Sequence, residues 1–377
     1  MHPDGLGIYV HVPFCARRCG YCAFVTYAPS AASADAEHRR WGDAAVAEIG
    51  IAERELGATA PAITSVYFGG GTPTAVPTQL LAEVVAGLRR HFDVSDDVEI
   101  SVEANPDGLR ADHTDELAAL GVRRISFGMQ SAVPRVLDLL DRTHDVDAVP
   151  RAVEAARCSG IASVSLDLMH GTPGETAADW ERTLDVALGL VPDHLSAYAL
   201  SIEPATKLAI RVREGSLTDP SPDEAADRYE ALDAAAAAAG LRWYELSNWA
   251  RTAGDRCRHN LRYWRDGEWW GIGPGAHSHV GDRRWWNHSG LDAWRHEVLS
   301  GEVPSAGEER ISTTERRTER IMLGIRLAEG IPMDWAAPGS LDALVGDDLV
   351  TLVDRRVVLT LRGRLLADLV ARTLRWG

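Results

Sequence analysis

A chain of 377 residues, 45% hydrophobic and 25% charged, exceeds what one core usually fills, so a large domain with a smaller companion is expected. A formal net charge of -16 with no run of basic residues excludes an electrostatic footprint for nucleic acid. No charged leader opens the sequence and no apolar run approaches the roughly 18 residues of a membrane span, so a soluble cytoplasmic protein in a reducing compartment is expected.

The first β-branched run, 7–12, feeds into Pro13-Phe14-Cys15-Ala16-Arg17-Arg18-Cys19-Gly20-Tyr21-Cys22. Three of the chain's five cysteines therefore fall in a C-x3-C-x2-C pattern. Closely spaced thiols in a reducing compartment point to metal rather than a disulfide, and iron–sulfur clusters favour such local runs. Two other readings stay open. The spacing also matches one helical face, on which the cysteines would merely pack, although Pro13 and Gly20 oppose a continuous helix there. A zinc tetrahedron completed by His11 is the second. On a four-iron cluster, three cysteines would leave one iron open to a small molecule.

From residue 7 to about 200, short β-branched runs alternate with Ala/Leu-rich amphipathic stretches, the pattern of repeated β-α units around a parallel sheet. Strands are predicted at 7–12, 65–68, 98–102, 124–127, 162–168 and 194–199. Six strands suit an incomplete TIM-like barrel, whose reactive groups sit on loops after strand C-termini. The second strand ends in Gly69-Gly70-Gly71-Thr72-Pro73-Thr74, which lets backbone N–H groups approach a ligand or simply makes a tight turn. It lacks both the phosphate-loop lysine and the G-x-G-x-x-G spacing. Glu103 and Gln130 end the third and fourth strands, where they would face the barrel mouth; alternatively they cap a helix and satisfy loop backbone. Cys158, in an Ala-rich helical stretch, reads as core filler.

The cysteine loop followed by GGGTPT resembles the radical S-adenosylmethionine (SAM) enzymes. More narrowly it resembles the branch of oxygen-independent coproporphyrinogen III dehydrogenases (HemN) and their haem-chaperone relatives. The resemblance implies a 4Fe–4S cluster on Cys15, Cys19 and Cys22 in a partial (β/α)6 barrel. It implies that SAM chelates the fourth iron through its amino and carboxylate groups and yields a 5′-deoxyadenosyl radical on receiving an electron. Around SAM it places Glu103, Gln130, Arg142 and Asp167, with Tyr9, Tyr21, Gly70, Gly71 and Thr72.

Residues 217–222 read as a linker, followed by a helix over 222–239. Beyond Leu241 the composition changes: nine of the twelve tryptophans lie between 243 and 335, with histidines at 259, 277, 279 and 288. Such a cluster makes an ordinary core, and a lone histidine is more often structural than a ligand. Imidazole is nevertheless a standard haem ligand, and aromatic walls suit a porphyrin. His259-Asn260-x-x-Tyr263-Trp264 resembles the motif that marks the haem chaperones (HemW) and is absent from true dehydrogenases. Residues 271–278 resemble that branch's following Gly-rich loop. Two departures from the dehydrogenases point the same way: Cys22 is followed by Ala23-Phe24 rather than x-Cys, and only eight residues precede Tyr9.

Residues 305–377 read as helices and a hairpin, resembling a winged-helix-like domain that serves as a lid or docking surface over the barrel mouth. Domains are expected at 1–205, 206–304 and 305–377. The resemblance implies a cytoplasmic haem chaperone binding a 4Fe–4S cluster, SAM and haem, with His259 as haem ligand. Its partners would be haem-accepting respiratory proteins, some membrane-bound, and an electron donor. A coproporphyrinogen III dehydrogenase and a zinc-binding interaction module are the alternatives.

Overall fold

The computed structural model describes residues 5–374 except 108, 110, 219–220 and 338. Six parallel strands occur where the sequence places them: β1 (Leu6–Val12), β2 (Ile63–Gly70), β3 (Val94–Ala104), β4 (Arg124–Gln130), β5 (Ser163–His170) and β6 (His194–Ala199). The return connections carry α1 (Ala34–Leu56), α2 (Thr78–His91), α3 (Ala111–Ala119), α4 (Pro134–Leu139), α5 (Ala148–Cys158) and α6 (Ala177–Gly189). On β1, Leu6, Ile8, Val10 and Val12 are fully buried and join one core with Trp41 and Ile49 of α1 and Leu81 and Val84 of α2. Removing each such side chain from water stabilises the layer by roughly 2 kcal/mol. The intervening positions, Gly7, Tyr9 and His11, face the opposite side, the interior of the curved sheet.

After β6 come α7 (Lys207–Arg213), α8 (Pro222–Ala238), β7 (Arg242–Glu245), β8 (Asn248–Ala250), α9 (Arg258–Trp264), β9 (Glu268–Ile272), β10 (His277–Val280), β11 (Arg283–Asn287), α10 (Leu291–Leu299) and β12 (Ser305–Arg310). Of the expected linker, residues 219–220 lie outside the described residues. The sheet order is β12-β11-β10-β9-β1-β2-β3-β4-β5-β6-β8-β7, so the sheet has two ends and forms a partial barrel. β9 pairs in parallel with β1, Tyr9 opposite Gly271, and adds a seventh parallel strand that the sequence did not reveal. Glu48 of α1 ties this extension down. Its fully buried carboxylate accepts Gly273 N and Trp294 Nε1 at 2.9 Å each and Asn287 Nδ2 at 2.7 Å.

The C-terminal unit comprises α11 (Thr313–Gly324), β13 (Ile331–Pro332), α12 (Ser340–Gly346), β14 (Val350–Val353), β15 (Arg356–Leu359), α13 (Leu361–Leu365) and α14 (Ala367–Leu374). Its three-stranded sheet, β13-β15-β14, covers a separate core including Ile325, Val357 and Val370. Three expectations need correction. β12 belongs to the large sheet, so the small unit starts after Arg310 and not at 305. Its anchors also lie away from the mouth: Arg316 and Arg320 converge on Asp266 at 2.7 and 2.8 Å. Asp266 precedes β9, whose first residue pairs with Leu6 at the start of β1. A lid over the mouth is thus not what these contacts build. Cys158, finally, is exposed at the end of α5 rather than packed in the core.

Candidate functional site

β1 delivers the cysteine loop directly to the mouth of the barrel. The loop is anchored on both sides: Cys15 N donates to Tyr27 O at 2.9 Å, Tyr27 N to Pro13 O at 2.7 Å, and Gly20 N to Leu140 O at 3.2 Å. Cys22 N closes a turn on Cys19 O at 3.3 Å, so no continuous helix carries the three sulfurs. All five cysteines are free thiols. Burial pushes the Cys15 and Cys22 thiols up. The Thr72 hydroxyl opposes this at Cys15, while the Phe24 backbone, Arg18 and Arg142 oppose it at Cys22. A nearby guanidinium favours the thiolate, which is the metal-binding form.

Cys15 and Cys19 line a cavity of about 320 Å³ with Thr72, Asn105, Asp141 and Arg142. A polar arc joins the two sulfurs. Thr72 Oγ1 donates to Cys15 Sγ at 3.6 Å and accepts Asn105 Nδ2 at 3.2 Å. Asn105 Oδ1 in turn accepts Arg142 Nη2 at 2.8 Å, and Arg142 Nη1 reaches Cys19 Sγ at 3.6 Å. Asn105 was missed in the sequence, although it stands one residue past β3 where a mouth-facing group belongs. Arg142 Nε is buried with no hydrogen-bond partner among the described residues, so this edge still has a donor to give.

Below the arc, Glu103 and Asp167 project inward from β3 and β5. Glu103 accepts Tyr67 Oη at 2.8 Å and Gly70 N at 3.2 Å, and burial pushes its carboxyl up to about 7. Asp167 accepts Ser126 Oγ at 2.8 Å and is likewise raised by burial. Gly70 has φ of 108°, and a Cβ there would stand 2.5 Å from the His11 ring. A Cβ on Gly71 would stand 2.7 Å from Phe14 O, so the glycine run is pressed against the cysteine loop. Gln130 adopts a left-handed backbone, φ 62°, with its amide over Gly128, and Arg142 Nη2 donates to the Gly128 carbonyl at 2.7 Å. Tyr21 lies under the cysteine loop, packed with Val133, Leu140 and Leu208. Tyr9 stacks beside Tyr67 and contacts His11 Nδ1 at 3.0 Å.

His11 is not presented to the thiols. Its Nε2 donates to Val25 O at 2.8 Å while Nδ1 faces Tyr9, so the zinc set that includes it is not assembled. A multi-iron cluster binds each thiolate at a separate corner and has no need of a fourth protein ligand converging on one point.

His259 lies at the other end of the barrel. Its helix, α9, forms the floor: His259 N and Arg258 N donate to Glu99 at 3.2 and 3.1 Å. The ring is 1% exposed and holds Ser65 Oγ at 3.1 Å on Nδ1 and Tyr263 Oη at 2.8 Å on Nε2. Burial holds its pKa down to about 3. As placed, ligating a haem iron would require release of one of these two bonds.

Comparison with known proteins agrees with this geometry. Residues 9–187 match the Radical SAM superfamily. A heme chaperone HemW from Mycobacterium tuberculosis is 44% identical over 98% of this chain and 94% of that protein. HemW of Bacillus subtilis is 32% identical over 96% of each. Coproporphyrinogen III oxidase (HemN) of Escherichia coli shares the fold, with a TM-score of 0.83 over 98% of this chain and 90% of that one at 23% identity. With such identity carried through nearly its whole length, this chain belongs to the HemW family within the radical SAM superfamily.

Proposed function

We propose that this chain is a haem chaperone that holds a 4Fe–4S cluster and SAM at the barrel mouth and passes haem to acceptor proteins. The observation that carries the reading is the arc Cys15–Thr72–Asn105–Arg142–Cys19, a set of thiol ligands fixed by hydrogen-bond donors around an open cavity. Cys15, Cys19 and Cys22 would hold the cluster, which supplies an electron and one open iron corner. Thr72, Asn105 and Arg142 then fix where the sulfurs point, and Arg142 offsets thiolate charge. Gly70, Gly71 and Glu103 offer backbone and carboxylate groups to an amino group. Gln130 and Asp167, with Tyr9 and Tyr67 walling the interior, bound the rest of the SAM site.

Haem-accepting proteins, including respiratory ones in membranes, and a separate electron donor are the partners of this reading. The described residues contain no helix long and apolar enough to cross a membrane, and the free thiols suit a reducing cytoplasm. The test is an anaerobic absorption spectrum before and after hemin is added to reconstituted protein. An iron–sulfur absorption joined by a new Soret band supports the chaperone. Conversion of coproporphyrinogen III with SAM and reductant would favour the dehydrogenase instead.

A further inference from the structure

Of the five histidines in the tryptophan-rich region, His259 and His288 have engaged rings and His279 is out of reach of solvent. His259 is sealed in the floor, and His288 Nε2 contacts Glu297 at 3.1 Å. His279 is fully buried against the edge of Trp269, with neither ring nitrogen hydrogen-bonded among the described residues and no exposed face to offer a ligand. His296 is exposed on α10, with no aromatic ring stacked on it among the described residues. His277 differs. Its ring is exposed, and among the described residues no hydrogen bond engages either ring nitrogen. Its bonds are made by backbone: it pairs with Trp286 across β10 and β11, and its carbonyl accepts Trp269 Nε1 at 2.9 Å.

The plane of this imidazole is set by its neighbours. Trp286 stacks on it at 5.9 Å and 29°, and Trp286 lies across Gly307, where a Cβ would stand 2.5 Å from the indole. A second glycine, Gly271, brings β9 against the His277 backbone, since a Cβ there would stand 2.3 Å from its carbonyl oxygen. His277 lies on the same sheet face as Trp269, the register partner of Gly7. That face continues the barrel interior. Because β10 runs antiparallel to β9, His277 stands at the end nearest the mouth. Partial burial lowers the His277 pKa, opposed by Glu309, which favours the neutral form that binds metals.

We propose that His277, braced by Trp286, is the residue that takes haem, as an axial ligand to its iron. This rests on the haem-chaperone reading. A lone pair of neutral imidazole nitrogen forms the N–Fe bond, and the iron releases its axial water or chloride with no change in oxidation state. An axial imidazole stands upright on the porphyrin, so the stacked indole fixes its rotation while Trp269 and Trp286 meet the macrocycle at its edge. The combination of an exposed, unengaged ring with a stacked indole sets this histidine apart from the other four among the described residues.

The test is an anaerobic hemin titration of the cluster-loaded full chain, comparing wild type, His277→Ala and Gly307→Leu. His277→Ala should bind hemin at least about tenfold more weakly, a loss of 1.4 kcal/mol or more. It should lose the imidazole-ligated spectrum, with unchanged iron and sulfide content, and free imidazole should restore the spectrum. Gly307→Leu, which lifts Trp286, should weaken uptake in the same direction. If wild type binds hemin and His277→Ala matches it in affinity and spectrum, the assignment falls while the chaperone reading stands. If wild type takes up no hemin, the chaperone reading falls first.

Discussion

The mouth and the floor of this barrel are built from the same residue types to opposite ends. At the mouth, Arg142 spans Asn105, Gly128 and Cys19 yet keeps a buried Nε with no hydrogen-bond partner among the described residues, and Gln130 sits in a left-handed backbone. At the floor, His259 has both nitrogens engaged, and Glu99 is met by the backbone N–H groups of α9. Polar groups with capacity to spare mark a place where something binds, whereas polar groups fully paired mark structure. A motif residue that would interest any reader of the sequence, His259, falls on the structural side of that division. Tyr67 connects the two ends. It stacks on His259 at 5.2 Å and donates to Glu103 at 2.8 Å, so motif and cofactor site share one wall.

The division can be broken most severely at the cysteines. Replacing Cys15, Cys19 and Cys22 together by Ala should abolish bound iron and acid-labile sulfide while leaving the fold, since the loop is held by backbone bonds to Tyr27 and Leu140. Circular dichroism beside elemental analysis checks both halves. Next in size is His259→Ala, which strands the Ser65 and Tyr263 hydroxyls in a buried floor. Two lost buried hydrogen bonds plus a cavity should cost about 4 kcal/mol in denaturant unfolding. Unchanged stability with lost hemin binding would instead move His259 to the functional side.

Asp266→Ala tests whether the C-terminal unit is anchored at the floor. Asp266 is 1% exposed and receives Arg316 and Arg320, so its loss should cost about 3 kcal/mol and raise hydrogen exchange in α11. The last effect, read as a pH dependence, concerns Glu103. Its folded pKa, about 7, lies above the ordinary carboxyl value of 4.5, so the folded state binds more protons between the two. Wild-type stability should therefore fall as pH rises from 4.5 to about 7. Glu103→Gln should remove that part of the slope, as urea midpoints at several pH values would register.

The parallel strands were legible because their outer faces are continuous hydrophobic positions; β6 was bounded to the residue. β9 was not, since Glu-Trp-Trp-Gly-Ile carries no alternation and its partner strand lies some 260 residues earlier in the chain. The mouth was legible in part. The cysteines, Glu103, Asp167 and Arg142 came from motifs, while Tyr67 and Asn105 were overlooked although a period-two reading offers them. Ser65, Tyr67 and Gly69 alternate with Val66 and Phe68, and Glu99, Ser101 and Glu103 with Ile100 and Val102, which marks a polar inner face. The burial of His259 could not be read from its motif, because the bonds that seal it come from β2 and from its own helix. The setting of His277 could not be read from sequence either, because Trp286 comes to stack on it only through the register of β10 on β11, with Gly307 leaving room for that indole.

The measurement that bears most directly on the whole account is the iron and acid-labile sulfide content of the full chain purified without air. The account predicts about four of each per chain, falling to background when Cys15, Cys19 and Cys22 are replaced. Protein that carries zinc in place of iron, or iron that survives loss of all three cysteines, would contradict it.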